Sequence, residues 1–239
     1  MWEGERLIER ILDYVYPRRC PVCDEVVPRG GLICAPCKET LQYVEEPRCF
    51  SCGKTLLSED EEMCDDCKDG RHIYRKGLAL YEYPAISKSI YRFKYQGRCE
   101  YADFFGKDMA KHLRREIKSW KAQALVPVPL YAAKERKRGF NQAELLANVL
   151  GRELGIPVEK NLIIRRKHTV PMKNLDAAMR QINLKKAFLM GQDDVKLKRV
   201  VIVDDIYTTG STIDAMAGVL LAAGIEEVYF VALSIGNGI

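Results

Sequence analysis

The chain has 239 residues, 47% hydrophobic and 30% charged, enough for one ordinary domain with a small satellite. That balance excludes a disordered chain, and the longest uncharged apolar run, Ala215 to Ile225, is too short for a membrane span. The formal net charge of +5 is uneven: residues 1–71 hold 10 Lys and Arg against 16 Asp and Glu, the remainder 28 against 17, so the C-terminal part suits a diphosphate or a nucleic acid.

Glu3, Glu5, Arg6, Glu9 and Arg10 interrupt the first apolar stretch, so no secretory signal opens the chain and a cytoplasmic location is expected. Residues 3–16 predict an amphipathic helix with Leu7, Ile8, Ile11, Leu12 and Val15 on one stripe, stopped by Pro17. A cysteine-rich segment follows to about Gly70, and a domain boundary is expected between residues 72 and 73.

Four Cys-x-x-Cys pairs occupy that segment: Cys20/Cys23, Cys34/Cys37, Cys49/Cys52 and Cys64/Cys67. The first recurs 29 residues on as the third and the second 30 on as the fourth, an internal duplication also visible in RRCPVC beside PRCFSC. In a reducing compartment such pairs are metal ligands rather than disulfides. Each repeat can close a tetrahedral S₄ site, the geometry zinc prefers. Sequential pairing gives Cys20, Cys23, Cys34 and Cys37 to one ion and Cys49, Cys52, Cys64 and Cys67 to the other; a cross-brace pairing stays open. With four protein ligands per Zn²⁺ no position remains for a substrate water, so both ions are structural. Cys99, the ninth, reads as a partly buried residue without a chemical role.

From Arg75 the pattern alternates between strands and helices. Strands are predicted at Gly77–Tyr83, Ala124–Pro129, Leu162–Ile164, Ala187–Met190, Val200–Val203 and Val228–Ser234, and helices at Ala85–Tyr95, Tyr101–Ile117, Asn141–Leu154 and Ser211–Ala223. This is an α/β domain with a mainly parallel sheet covered on both faces.

The most informative stretch is VVIVDDIYTTGSTIDAM, Val200 to Met216. An apolar strand ends in Asp204 and Asp205, and ligands of open α/β sheets bind at that carboxyl edge. The hydroxyls of Thr208, Thr209, Ser211 and Thr212 and the free N–H groups of the next helix make a phosphate cradle, which Gly210 lets the backbone close. Carboxylates beside it would repel phosphate, so they suit ribose hydroxyls, which donate hydrogen bonds.

In this order the pieces resemble the 5-phosphoribosyl-1-diphosphate (PRPP) signature of type I phosphoribosyltransferases. VPVPL (Val126 to Leu130), RGFNQAELLA (Arg138 to Ala147), LIIRRKHT and RQINLKKAF (within Leu162 to Phe188), together with the cysteine module, are similar to the ComF family. That family, associated with natural competence and DNA uptake, joins a zinc module to a phosphoribosyltransferase-like domain. The resemblance implies that Asp204 and Asp205 bind ribose hydroxyls of Mg²⁺-PRPP and Thr208 to Thr212 its 5′-phosphate. It assigns the diphosphate to the turn after Val128-Pro129, with Arg138, Arg165 and Arg180 as candidate ligands. Residues 165–180 resemble the loop that closes over PRPP, with Met172 where related loops often have Gln. FKYQGR (Phe93 to Arg98) also resembles a family motif, and no mechanism follows for its Lys94 and Arg98.

Three functions compete: a phosphoribosyltransferase of unknown acceptor, a PRPP or nucleotide sensor serving an ATP-dependent DNA-uptake motor, and a single-stranded DNA binder. For the last, Tyr81, Tyr83, Tyr91, Phe93 and Tyr95 are candidate stacking rings. Their helical and strand spacings assign them to the core instead.

Overall fold

In a computed structural model, residues 17–68, 72–166, 187–192 and 196–236 are described. The expected helix at 3–16 and Arg180, with most of the candidate closing loop, lie outside them.

The two cysteine repeats fold alike. Cys20 N–H donates to Glu25 O and Cys49 N–H to Lys54 O, both at 2.7 Å. The short helices α1 (Ala35–Glu39) and α2 (Asp65–Lys68) carry the last cysteine of each repeat. The positive-φ turn residue is Asp24 in the first repeat and Gly53 in the second. Gly53 is required by contact as well as by φ, because a Cβ there would come within 2.8 Å of Gly77 O. The second repeat is thus pressed onto the first strand of the sheet.

That sheet has four parallel strands, β1 (Lys76–Glu82), β2 (Ala124–Pro127), β5 (Arg199–Tyr207) and β6 (Glu227–Ile235), in the order β1-β6-β5-β2. Their side chains alternate between two cores, as period-2 geometry requires. Val201, Val203 and Val231 face the helices α3 (Tyr83–Tyr95), α4 (Tyr101–Ser119) and α6 (Gln142–Leu154). Val200, Ile202 and Phe230 face α7 (Ser211–Ala222), the second repeat's cysteines, and a small antiparallel sheet of β3 (Ile163–Arg165) and β4 (Phe188–Met190). Between the repeats, Val44 N–H donates to Leu80 O at 3.0 Å, covering the edge of β1.

Four expectations need correction. The strand after Leu197 does not end at Val203. It pairs with β6 through Tyr207, so Asp204 and Asp205 are strand residues and the chain does not turn there. Tyr91 and Tyr95 are 57% and 62% exposed, because the spacing that joins them on α3 also joins Phe93 and Ile90 on the face that is buried. Tyr83, 37% exposed, opens α3 rather than ending β1; Tyr81 and Phe93 are in the core as expected. Cys99 is exposed rather than partly buried.

Candidate functional site

Beyond the last residue of β2 the longer β5 runs on paired with β6 only, and on the side that β2 leaves open its acid pair lines a cleft of about 150 Å³. The walls include Lys94 of α3, Val128, Lys134 and Arg138 of α5 (Ala132–Arg138), Arg165 of β3 and Thr212 of α7. The sequence separates these groups by up to 118 residues; the parallel order of β2 and β5 brings them to one edge.

Successive strand side chains leave opposite faces. Asp205, 8% exposed, points to the helical side, where Lys94 Nζ lies 2.8 Å from both Oδ1 and Oδ2. Asp204 goes the other way and accepts the Asp205 N–H on Oδ1 at 2.8 Å. Burial, then the neighbouring Asp205 charge, pushes the Asp204 carboxyl up to about 7. The cations of the cleft are crowded. Lys134 is lowered by partial desolvation and by Arg138, Lys94 and Arg165, and it has no ion-pair partner among the described residues. Arg165 is lowered by burial, with Asp204 opposing. Arg138 donates to Gln142 and stands over the Tyr95 ring at 5.1 Å. Such a surplus of positive charge is what an anion would relieve.

Thr212 reaches the cleft from the first turn of α7, which Ser211 opens, and Thr208, Thr209 and Gly210 form the turn leading to it. Gly210 has φ +74 and precedes the first turn of α7, whose N–H groups carry the positive end of the helix dipole. Pro129 sits between the lining residues Val128 and Leu130. Behind them Asn141 caps α6 by accepting the Ala143 N–H at 3.1 Å and donates to Val128 O at 3.0 Å, which fixes the turn candidate for diphosphate. Sequence reasoning missed Lys134 and gave Lys94 no role. The basic run in residues 134–138 was the only signal for the first, and the second depends on α3 crossing the end of β5.

Each cysteine set forms its own cluster, sequential rather than cross-braced, with all four Sγ atoms within 4.8 Å of one another. Cys23 and Cys34 Sγ are 3.8 Å apart, and Cys52 and Cys64 Sγ 3.6 Å. Tetrahedral ligands at 2.3 Å from zinc stand about 3.8 Å apart, so both sets fit the ion. The sets differ in setting: Cys49, Cys52, Cys64 and Cys67 are buried, whereas Cys23 is exposed.

Among the described residues no helix is long and apolar enough to cross a membrane. The chain matches the double zinc ribbon domain over residues 11–68 and the phosphoribosyl transferase domain over residues 108–237. It is 32% identical to Competence protein F of Haemophilus influenzae, with 84% of this chain and 89% of that one covered. Identity to DNA utilization protein YhgH of Escherichia coli is 30% over 89% and 94% of the two chains, and to Competence protein ComFC of Streptococcus pneumoniae 30% over 82% and 84%. A purine phosphoribosyltransferase from Pyrococcus horikoshii is a weak structural likeness, with TM-score 0.35 at 18% identity over 59% and 75% of the chains. A double zinc ribbon followed by a phosphoribosyltransferase domain, matched along most of the chain by competence proteins, makes this protein a member of the ComF family.

Proposed function

We propose that the cleft at the end of β5 binds PRPP and that the protein is a phosphoribosyltransferase-like member of the DNA-uptake apparatus, working in the cytoplasm. In this reading residues 1–72 are the zinc module and 73–239 the PRPP domain. The observation that carries it is the acid pair Asp204/Asp205 sharing one small cleft with Thr212, Lys94, Lys134, Arg138 and Arg165. PRPP has that same sequence of charges: a 5′-phosphate, neutral hydroxyls that donate, and a diphosphate.

Asp204 and Asp205 accept from the ribose hydroxyls, and Thr208 to Thr212 with the α7 N-terminus take the 5′-phosphate. The turn at Val128-Pro129 with Lys134, Arg138, Arg165 and Arg180 takes the diphosphate. In transfer, an acceptor nucleophile forms a bond to C1 of the ribose as diphosphate leaves with the electron pair of the broken C1–O bond. The cations of the cleft stabilise that departing charge. Mg²⁺, bound with PRPP, supplies further positive charge to the diphosphate oxygens. Calorimetry with PRPP and Mg²⁺ tests the site: Asp205→Asn should weaken binding by about 1.5–3 kcal/mol, the worth of one charge-assisted hydrogen bond. Unchanged affinity removes the assignment. A panel of acceptors followed by diphosphate release separates a transferase from a sensor that serves a DNA-uptake motor.

Exposed Tyr91 and Tyr95, with ring centroids 5.2 Å apart, favour a second role in binding single-stranded DNA. Tyr95 lies against Arg138 of the basic α5, and exposed rings next to positive charge suit unpaired bases.

A further inference from the structure

The segment that leaves the second zinc site, residues 72–74, reaches across to the strand-loop-helix unit of the cleft. His72 Nδ1 lies 2.7 Å from Asp214 Oδ2, and the Ile73 N–H donates to Asp214 Oδ1 at 3.0 Å, so both carboxylate oxygens of an acid in the first turn of α7 are engaged. The His72 side chain is 8% exposed and its ring stacks on Tyr74 at 4.8 Å. The Tyr74 hydroxyl in turn shares a hydrogen bond of 2.6 Å with that of Tyr207, the last residue of β5. Between these two anchors lies the turn 208–210, and the imidazole fills the space under it: a Cβ on Gly210 would fall 2.6 Å from His72 Cε1. The loop is therefore gripped at the strand residue before it, at its glycine and at the helix that follows.

Packing alone does not account for a histidine here. His72 Nε2 is buried without a hydrogen-bond partner, a cost that a phenylalanine or leucine of similar size would avoid. What an imidazole adds is the bond to Asp214, and that bond ties the floor of the loop to the first turn whose N–H groups would meet a phosphate.

We propose that His72 is a positioning residue of the phosphate loop: bound to Asp214 and seated under Gly210, it holds residues 208–212 in the conformation that accepts the 5′-phosphate of a phosphoribosyl ligand. This rests on the PRPP reading given above and extends it to a residue that itself touches no ligand. It also places the control of that loop in the segment entering from the zinc module.

The test compares three probes by calorimetry on the full zinc-loaded chain: PRPP, ribose 5-phosphate and inorganic diphosphate. His72→Ala and His72→Phe should weaken PRPP and ribose 5-phosphate by about tenfold, as for one lost hydrogen bond to a charged group, and leave diphosphate unchanged. His72→Asn, whose amide nitrogen can stand where Nδ1 stands, should restore most of the affinity. If His72→Ala fails to fold, Asp214→Asn, which keeps the shape of the first turn, should give the same selective loss. Equal losses for all three probes, or none, in the folded variants overturn the positioning role. Failure of the unaltered protein to bind PRPP and ribose 5-phosphate overturns the PRPP reading and this inference with it, a result distinct from either of the others.

Discussion

Lys94 Nζ sits 2.8 Å from both carboxylate oxygens of Asp205, across 111 residues of sequence, and so supplies the cation at the acid pair. Two adjacent carboxylates alone would make neutralisation of Asp205 harmless or stabilising. The ion pair reverses that expectation. Lys94→Met leaves Asp205 nearly buried without a counterion and should destabilise the protein by about 2–3 kcal/mol, below the full cost of breaking a buried pair because both side chains keep some solvent. Asp205→Asn should also lose stability. The double variant Lys94→Met/Asp205→Asn should lose less than the two singles together, a coupling that denaturant unfolding reads directly. Additive losses would mean the pair is not formed in solution.

Asp204 carries the pH dependence. Its folded pKa, about 7, lies above the ordinary carboxylate value of 3.8, so the folded state holds a proton that the unfolded chain has released. Stability from this group is complete below pH 3.8 and falls as pH rises toward 7. Asp204→Asn removes that loss. The melting temperature of the variant relative to the unaltered protein should therefore climb between about pH 4 and pH 7 and then level off. A difference that stays flat over this range would refute the raised pKa of this carboxyl.

The zinc sites should differ in consequence. Metal analysis should find two equivalents of zinc, and either Cys23→Ser or Cys52→Ser should lose one. Structural zinc is worth about 10–16 kcal/mol of apparent binding energy in small modules. Cys52 belongs to the same packed cluster as Tyr74 and Phe230, so its loss should lower the melting temperature of the whole protein. Cys23 is exposed, and its replacement should loosen the first repeat with a smaller effect on the main transition. Melting curves of the two variants that coincide would contradict this asymmetry.

Tyr91→Ala with Tyr95→Ala tests the nucleic-acid reading. Both rings are exposed, so folding should be kept. Affinity for single-stranded DNA should fall by about 1–3 kcal/mol per base that stacked. Binding by the unaltered protein should weaken steeply with salt, as phosphate contacts demand. DNA affinity insensitive to salt and to both substitutions would exclude this surface.

Legible in the chain alone were the two cysteine repeats, the alternation of strands and helices, and the Asp-Asp, Thr-rich loop and helix start from Val200 to Met216. These are local signals: ligand spacing, period-2 or helical apolar patterns, and a glycine where the backbone turns with positive φ. Their limits were local too. The strand through Asp204 to Tyr207 looked finished at Val203 because polar residues ended the apolar run, yet pairing with β6 carries it on. Tyr91 and Tyr95 looked like core because spacing puts residues on one face without saying which face is covered. The partners come from the packing of distant segments: Lys94 on Asp205, Lys134 and Arg165 in one cleft, and His72 under Gly210. Such contacts depend on how helices cross the end of a sheet, and no pattern within a single segment encodes a crossing.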